Sequence, residues 1–470
     1  MRPSALGLAL VLVLGAAGSA VAKELSLTEA RTLLSDHSAK LRSDREALAT
    51  AEAGIEAAFG AFVPRWSAAY GVPQGDGAQL STQPTTGLIS NALRMPLPVG
   101  GGELALSTAA LTPFNPLGSS ATSSVDAGHS GAMQLLWKQP LLRGGRWSGL
   151  ADRWQEAAWL RDAQRAKLEE SRLQENLSLE QAYWNLVLRQ ATVRLLEEEV
   201  DRARTNHRAV SERVKARLAA EFELFETEQT IAQFQAQLAE AQQEADAAEA
   251  ALVTVMGIRP GPDRIQPTEA LDAVETASPL APEALVADAL RRRPELVARR
   301  AQYEAARLEA QLAGRDRLPD LSLQVGVDWE GTPMIAGVLP RPEGSANVGV
   351  GMVFETPLGV SPESAAEREA EGRRRTLAIA LDQAELAVSE EVRQLLFLVQ
   401  HQADQLRYAR LAQTAADKRY QAEWGRYQGG LVDVQELLRY HRALSLARLD
   451  VLKAQAGLRI ASARLHAATA

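Results

Sequence analysis

Residues 134–147 read QLLWKQPLLRGGRW. The first half has the period of a strand, with Met133, Leu135 and Trp137 alternating with Gln134, Leu136 and Lys138. Pro140 then removes a backbone donor, and Gly144 and Gly145 follow. Beyond Gly149 neither Gly nor Pro occurs until Gly257. A short strand therefore feeds directly into a very long helical signal, and the rest of the chain has to account for that junction.

The composition of the 470 residues is that of long helices. Hydrophobic residues make up 46% but aromatics only 5%, and Ala with Leu, Glu, Gln and Arg dominates. The formal charge of −8 gives no reason to expect nucleic acid as a partner. Residues 1–22 read as a secretion signal, with Arg2 ahead of an apolar stretch and Ala20-Val21-Ala22 as a small-x-small cleavage site. The chain has no cysteine, so neither disulfides nor a lipid on Cys are available. No later segment reaches the roughly 18–20 consecutive apolar residues of a membrane helix. A membrane crossing by this chain must therefore use strands.

The chain is internally repeated. AFVPRWSAAYGV surrounds Pro64 and DRLPDLSLQVGV surrounds Pro319, each preceded by an Ala-rich helical stretch. Pro140-Leu141 and Pro357-Leu358 form a second matched pair. A shift of 213 residues superimposes two patterns of 3-4 spacing, Leu179, Ala182, Leu186, Arg189 and onward over Val392, Leu395, Val399, Gln402 and onward. Such a sustained 3.5-residue period implies left-handed supercoiling. The reading is a first repeat at 23–257, a Pro/Gly-rich connector at 258–280 and a second repeat at 281–470. The interval from Pro64 to Pro140 is twice that from Pro319 to Pro357, and its surplus, Gln74 to Ser130, has loop chemistry. A short hairpin around Leu104 to Leu111 stays open.

Trp147 to Arg217 and Ser361 to Gly430 each predict one helix of about 70 residues, roughly 105 Å at 1.5 Å per residue. Glu221 to Met256, Pro282 to Arg317, Asp433 to Ala470 and Thr28 to Phe62 each predict a helix of about half that length. Such helices must lie side by side as a bundle or as staves. The alternating segments Trp66–Val72, Met133–Trp137, Leu321–Trp329 and Val348–Phe354 give four strands per chain. Alternation alone fits a soluble half-buried sheet as well as a membrane wall. With the helices committed to one another, a lipid-facing wall is the better account. Four strands cannot close, and open edges are forbidden in lipid, so the barrel is shared between chains.

At this point the sequence resembles the TolC-type outer membrane efflux family across the chain after residue 22. The marks are the Ala-rich helices ending in Pro64 and Pro319, QPLLRGG, its second-repeat partner FETPLG, and GGLVDVQELL late in the chain. The resemblance implies a mainly α fold with a membrane β-barrel. Long coiled-coil helices would form an α-barrel tunnel, and three chains would complete a twelve-stranded barrel in outer membrane lipid. It also implies a periplasmic adaptor (membrane fusion) protein and an inner-membrane transporter as partners, in efflux or type I secretion. By the same resemblance Arg217, Leu218, Gly430 and Leu431 form adaptor-contacting tips. Glu436 joins a carboxylate ring at the tunnel entrance, and Glu223 and Tyr427 belong to the closing network. Arg217 stands where the turn glycine is expected, while Val432 and Arg439 replace a basic gate residue and a second acid. These departures point to a differently latched gate and a less acidic ring.

The six histidines, His37, His129, His207, His401, His441 and His466, show no ligand spacing and read as surface or heptad positions. No nucleophile elbow, phosphate loop or nucleophile–base pattern occurs, so the expectation is no enzyme, no cofactor and no metal site. A soluble periplasmic coiled-coil scaffold or adaptor, its strands folded as a small sandwich, is the alternative reading.

Overall fold

The computed structural model describes residues 23–71, 85–97, 100–114, 131–143, 149–259, 261, 264–271, 281–331, 333–335, 339–340, 346–356 and 361–470. The signal sequence at 1–22 lies outside the described residues, as does Pro357-Leu358. The elements, in order, are β1 (Lys23–Leu25), α1 (Leu27–His37), α2 (Ala39–Gly60), β2 (Arg65–Gly71), β3 (Thr85–Pro96), β4 (Glu103–Phe114) and β5 (Gly131–Pro140). Then come α3 (Gly149–Lys215), α4 (Phe222–Met256), β6 (Ile265–Pro267), α5 (Pro282–Arg292), α6 (Pro294–Asp316) and β7 (Asp320–Gly331). The short strands β8 (Pro333–Ile335) and β9 (Leu339–Pro340) precede β10 (Asn347–Glu355), α7 (Pro362–Gln428) and α8 (Val434–Thr469).

The two long helices, α3 and α7, each have 67 residues. Two expected half-length helices are instead broken once. Ser38 (φ −58°, ψ 120°) separates α1 from α2, and Arg293 (φ −59°, ψ 121°) separates α5 from α6. Pro294 excludes helical geometry at Arg293. At the other break the Ser38 hydroxyl accepts from Leu41 N at 3.3 Å and so caps the start of α2.

The chain forms two compact units. One contains residues 23–42, 171–290 and 388–470 among those described. Its core is the predicted seam: Leu179, Tyr183 and Leu186 of α3 pack with Leu252 and Met256 of α4, closed by Leu25 and Ile265 of the parallel β1–β6 pair. Farther along, Leu196, Val200 and Ala203 meet Phe234 and Ala241. Val210, Tyr420, Tyr427, Val434, Leu437 and Leu444 form a third cluster. Arg189, the charged position in the seam, pairs with Glu244.

The other unit contains residues 43–170 and 291–387. Arg–carboxylate pairs tie its helices together, Arg300 to Glu385 at 2.7 Å and Arg373 to Glu309 at 2.7 Å. Arg143, in the quoted stretch, reaches Glu363 of α7 at 3.1 Å. Its sheet has the order β10-β7-β5-β4-β3-β2, antiparallel throughout. This corrects the count of four strands per chain to six. Both additional strands lie within Gln74 to Ser130. The Leu104 to Leu111 stretch, left open as a short hairpin, falls in the single strand β4, and β3 is the strand whose Ser, Thr, Ala and Gly give too little hydrophobic contrast to stand out.

The register puts Trp66, Leu93, Leu106, Leu135, Val327 and Val348 in one row across all six strands. Two residues along, on the same face, lie Met95, Leu104, Trp137, Val325 and Val350. The opposite face carries Arg65, Arg94, Ser67, Ser107, Gln134, Glu103, Lys138, Gln324, Asp328 and Asn347. Asn91, Thr108 and Gln139 on the first face, and Leu136 and Val353 on the second, are among the exceptions. Trp66 (71% exposed), Leu93 (40%), Val348 (69%) and Val350 (70%) leave this face open on β2, β3 and β10 among the described residues, while Leu106, Leu135, Trp137, Val325 and Val327 between them are half-buried.

Candidate functional site

The α3–α4 and α7–α8 turns share one hydrogen-bond pattern. Leu218 N donates to Arg213 O (2.8 Å) and Arg217 N to Val214 O (2.9 Å). Leu431 N donates to Arg426 O (3.0 Å) and Gly430 N to Tyr427 O (3.0 Å). Both are Schellman closures, which need a left-handed residue just past the helix. Gly430 supplies φ +73° without strain, while Arg217 is held at φ +56°, the one positive φ outside glycine among the described residues. Leu218 and Leu431 are 69% and 72% exposed at the tips, with Phe222 and Phe225 exposed nearby.

Tyr427 lies behind the second turn, 2% exposed. Arg213 stacks on its ring at 4.7 Å and donates to its carbonyl at 2.6 Å and to that of Gln428 at 3.3 Å. Burial, followed by the charge of Glu223, pushes the Tyr427 hydroxyl up to about 12. Tyr427, Arg213 and Glu223 thus form one group drawn from α7, α3 and α4. Glu223 Oε1 also accepts from Ala220 N at 3.2 Å, capping the start of α4.

Glu436 belongs to a different group. Its backbone N–H is capped by Asp433 Oδ1 at 2.9 Å, and its carboxylate accepts from the Tyr440 hydroxyl at 3.4 Å. Arg419 donates to that same hydroxyl at 2.7 Å and stacks on the ring at 4.4 Å, while Arg439 lies 5.8 Å from the ring centre. Arg439, which stands in place of a second acid, is thus part of an Arg–Tyr stack. Val432 packs against the apolar cluster behind the turn.

A third group was not legible in the sequence. Glu199 of α3 and His441 of α8 are both fully buried, with Nε2 2.5 Å from Oε2. Arg448 reaches the other carboxylate oxygen at 3.1 Å, and Arg202 lies 3.6 Å from Oε2. Burial raises the Glu199 carboxyl, but the hydrogen bond and charge of His441, with Arg202 and Arg448, bring it below the ordinary range. Of the two readings given to the histidines, surface or heptad, His441 takes the second, in 3-4 spacing with the buried Val434, Leu437 and Leu444. A charged residue spaced one helical turn from the apolar seam was the only signal available. No cluster of three or more potential metal ligands occurs among the described residues, and no described helix is long and apolar enough to cross a membrane.

A chain with these helices, paired turns and a sheet with one apolar and one polar face has the parts of a membrane channel with a helical extension. The profile of the outer membrane efflux protein family matches residues 114–258 and 285–470, well over half the sequence, and the chain belongs to that family. It is an outer membrane export channel. Its fold is similar to that of the CusC channel, with TM-score 0.71 at 16% identity over 94% of this chain and 91% of that one. It is also similar to the open-state Neisseria gonorrhoeae MtrE channel (0.70, 16%, 94% and 88%). VceC of Vibrio cholerae gives 0.67 at 16% identity over 94% and 96%. A search of curated protein sequences returns no significant match.

Proposed function

We propose that three copies of this chain form a passive exit duct, with energy and substrate choice supplied by an inner-membrane transporter through a periplasmic adaptor. The observation that carries the reading is the six-stranded sheet. Among the described residues it has an apolar face left open on its outer strands and two edges with no further strand beside them, β2 and β10. Unsatisfied edges cost several kcal/mol per group in hydrocarbon, so neighbouring copies must pair them. β2 and β10 run in opposite directions, and head-to-tail addition therefore continues the antiparallel order and closes a ring. A soluble scaffold would leave this face in water.

The exposed Leu218 and Leu431, at turns kept rigid by Schellman closures, suit docking of an adaptor's helical hairpins, together with Arg217 and Gly430. Arg213, Tyr427 and Glu223 latch the turns, and Glu436 contributes to a carboxylate ring on the trimer axis. A photo-crosslinking residue at position 218 or 431 tests the assembly. Crosslinks to a periplasmic adaptor in intact cells are expected. Adaptor-free trimers that still export substrate would overturn this part of the reading.

A further inference from the structure

We infer that the closed barrel has eighteen strands, six from each of three chains, in place of the twelve that the resemblance implies. This rests on the trimer reading above but goes beyond it, because β3 and β4 could belong to an external loop and still leave a trimer. Four observations place the hairpin in the wall.

The first is connectivity. In the hydrogen-bonded order, β3 and β4 lie between β2 and β5. Every residue of β2 from Arg65 to Gly71 pairs with β3, and β4 from Glu103 to Ala110 pairs with β5. Among the described residues β3 is the strand that pairs with β2. The second is length. Both strands have 12 residues, as does β7, and about 9–11 tilted residues cross a bilayer.

The third is phase. Ile89, Leu93 and Met95 of β3, and Leu104 and Leu106 of β4, fall on the face that carries Trp66, Trp137, Val325 and Val348. Ser90, Arg94, Glu103 and Ser107 fall on the polar face. A one-residue slip would reverse every one of these assignments. The charges agree with the phase: Arg94 lies 3.9 Å from Glu103, and Lys138 lies 3.9 Å from Asp320, both pairs on the polar face. Such pairs suit a water-filled lumen and would be costly against lipid.

The fourth is the turn. The β3–β4 connection comes back level with the strand ends that lead to the helices, since Pro96 pairs with Glu103 and Glu103 with Lys138. There Gln139 of β5 donates to Gly100 O at 2.6 Å, and a Cβ at Gly102 would meet its side-chain oxygen at 2.7 Å. The hairpin tip is thus packed against the QPLL segment, close enough that a side chain at position 102 would require Gln139 to shift.

Eighteen strands tilted by about 40° and spaced about 4.8 Å give a backbone diameter of roughly 36 Å, against roughly 24 Å for twelve. At that size barrels enclose an aqueous channel. The membrane exit would therefore be wider than a four-stranded chain could build, and would suit bulky cargo.

Cysteine pairs in the full-length protein, which has no native cysteine, test this directly. Opposed strand residues lie within disulfide reach, whereas residues three strands apart are about 14 Å apart. Oxidation should join Ser67→Cys to Ala92→Cys within one chain and leave Ser67→Cys and Gln134→Cys unjoined. A short bis-maleimide should meanwhile link Ser67→Cys of one chain to Gly349→Cys of the next. A Ser67–Gln134 disulfide with the interchain link intact would overturn the eighteen-strand wall and keep the trimer. Loss of the interchain link would overturn the shared barrel itself. Should the variants fail to accumulate, the barrel diameter in images of wild-type particles decides between roughly 36 and roughly 24 Å.

Discussion

Glu199 and His441 meet at 2.5 Å in the interior of the helical bundle, with neither side chain exposed to solvent. Phe234 and Tyr420 pack on the imidazole from α4 and α7, and Arg448 completes the carboxylate's partners. Four helices of that unit, α3, α4, α7 and α8, are therefore joined by a polar centre in which each partner depends on the others. Removing one partner of a buried pair leaves the other uncompensated, at a cost of about 3–5 kcal/mol. His441→Ala should lower the midpoint of heat-induced helix loss, measured at fixed scan rate, far more than His466→Ala. Equal shifts would remove the centre from the stability account.

The same pair sets an acid dependence. The Glu199 carboxyl sits below its ordinary value of 4.5, so its ionisation favours the folded state. That contribution is fully present above about pH 4.5 and is lost as the pH falls through the depressed folded value. Wild-type protein should therefore lose its stability advantage over Glu199→Gln on acidification below pH 4.5, and keep it between pH 6 and 8. A pH-independent difference would contradict the assignment.

Arg217 at φ +56° carries a backbone cost that Gly430 avoids, on the order of 1 kcal/mol. Arg217→Gly should stabilise the first turn by about that amount. Gly430→Ala should destabilise the second, although its nearest neighbour, Arg213 Nη2, is 3.6 Å from the added Cβ and leaves room for it. Hydrogen exchange at Leu218 and Leu431 separates the two effects, with slower exchange expected in the first variant and faster exchange in the second.

Arg213 holds two carbonyls of the α7 end and the Tyr427 ring at once. Charged hydrogen bonds contribute about 1.5–3 kcal/mol, so Arg213→Ala should loosen the latch and raise basal current in planar bilayers. Tyr427→Phe keeps the ring and should change the current less. Because the hydroxyl is pushed up to about 12, Tyr427 contributes no pH dependence between pH 6 and 9.

Much of this was visible in the sequence, for physical reasons that also mark its limits. The 213-residue offset that aligns the heptads also aligns the hydrogen bonds of the two turns, because both are local to the chain. Pro294 carries the signal for its helix break, which the reading of Pro282 to Arg317 as one helix passes over. Ser38 carries none, since a serine inside a helical pattern is common and its capping role depends on ψ. Leu104 to Leu111 stands out enough to suggest a hairpin and lies in β4, but β3 is obscured because Ser, Thr and Ala carry the alternation weakly. Tyr427 and Glu223 were reached by resemblance, and the structure brings them together. Arg213, Tyr440 and His441 could not be paired with partners about 20 to 240 residues away from one-dimensional spacing, because those contacts arise only when four helices pack.

The carboxylate ring proposed for Glu436 has a direct electrical test. If three copies converge on the axis, Glu436→Gln should lower cation selectivity and block by multivalent cations in single-channel recordings, more so at low salt than at high salt. Glu228→Gln, exposed on α4, serves as the comparison. Unchanged selectivity with normal assembly would leave Glu436 as the partner of Tyr440 alone.

The mass of the detergent-extracted protein tests the central claim most directly. Native mass spectrometry of material retained in carbonate-washed outer membranes should give three chains per particle, with the full strand signal in circular dichroism. A stable single-chain particle with the same strand content would contradict a barrel shared between copies.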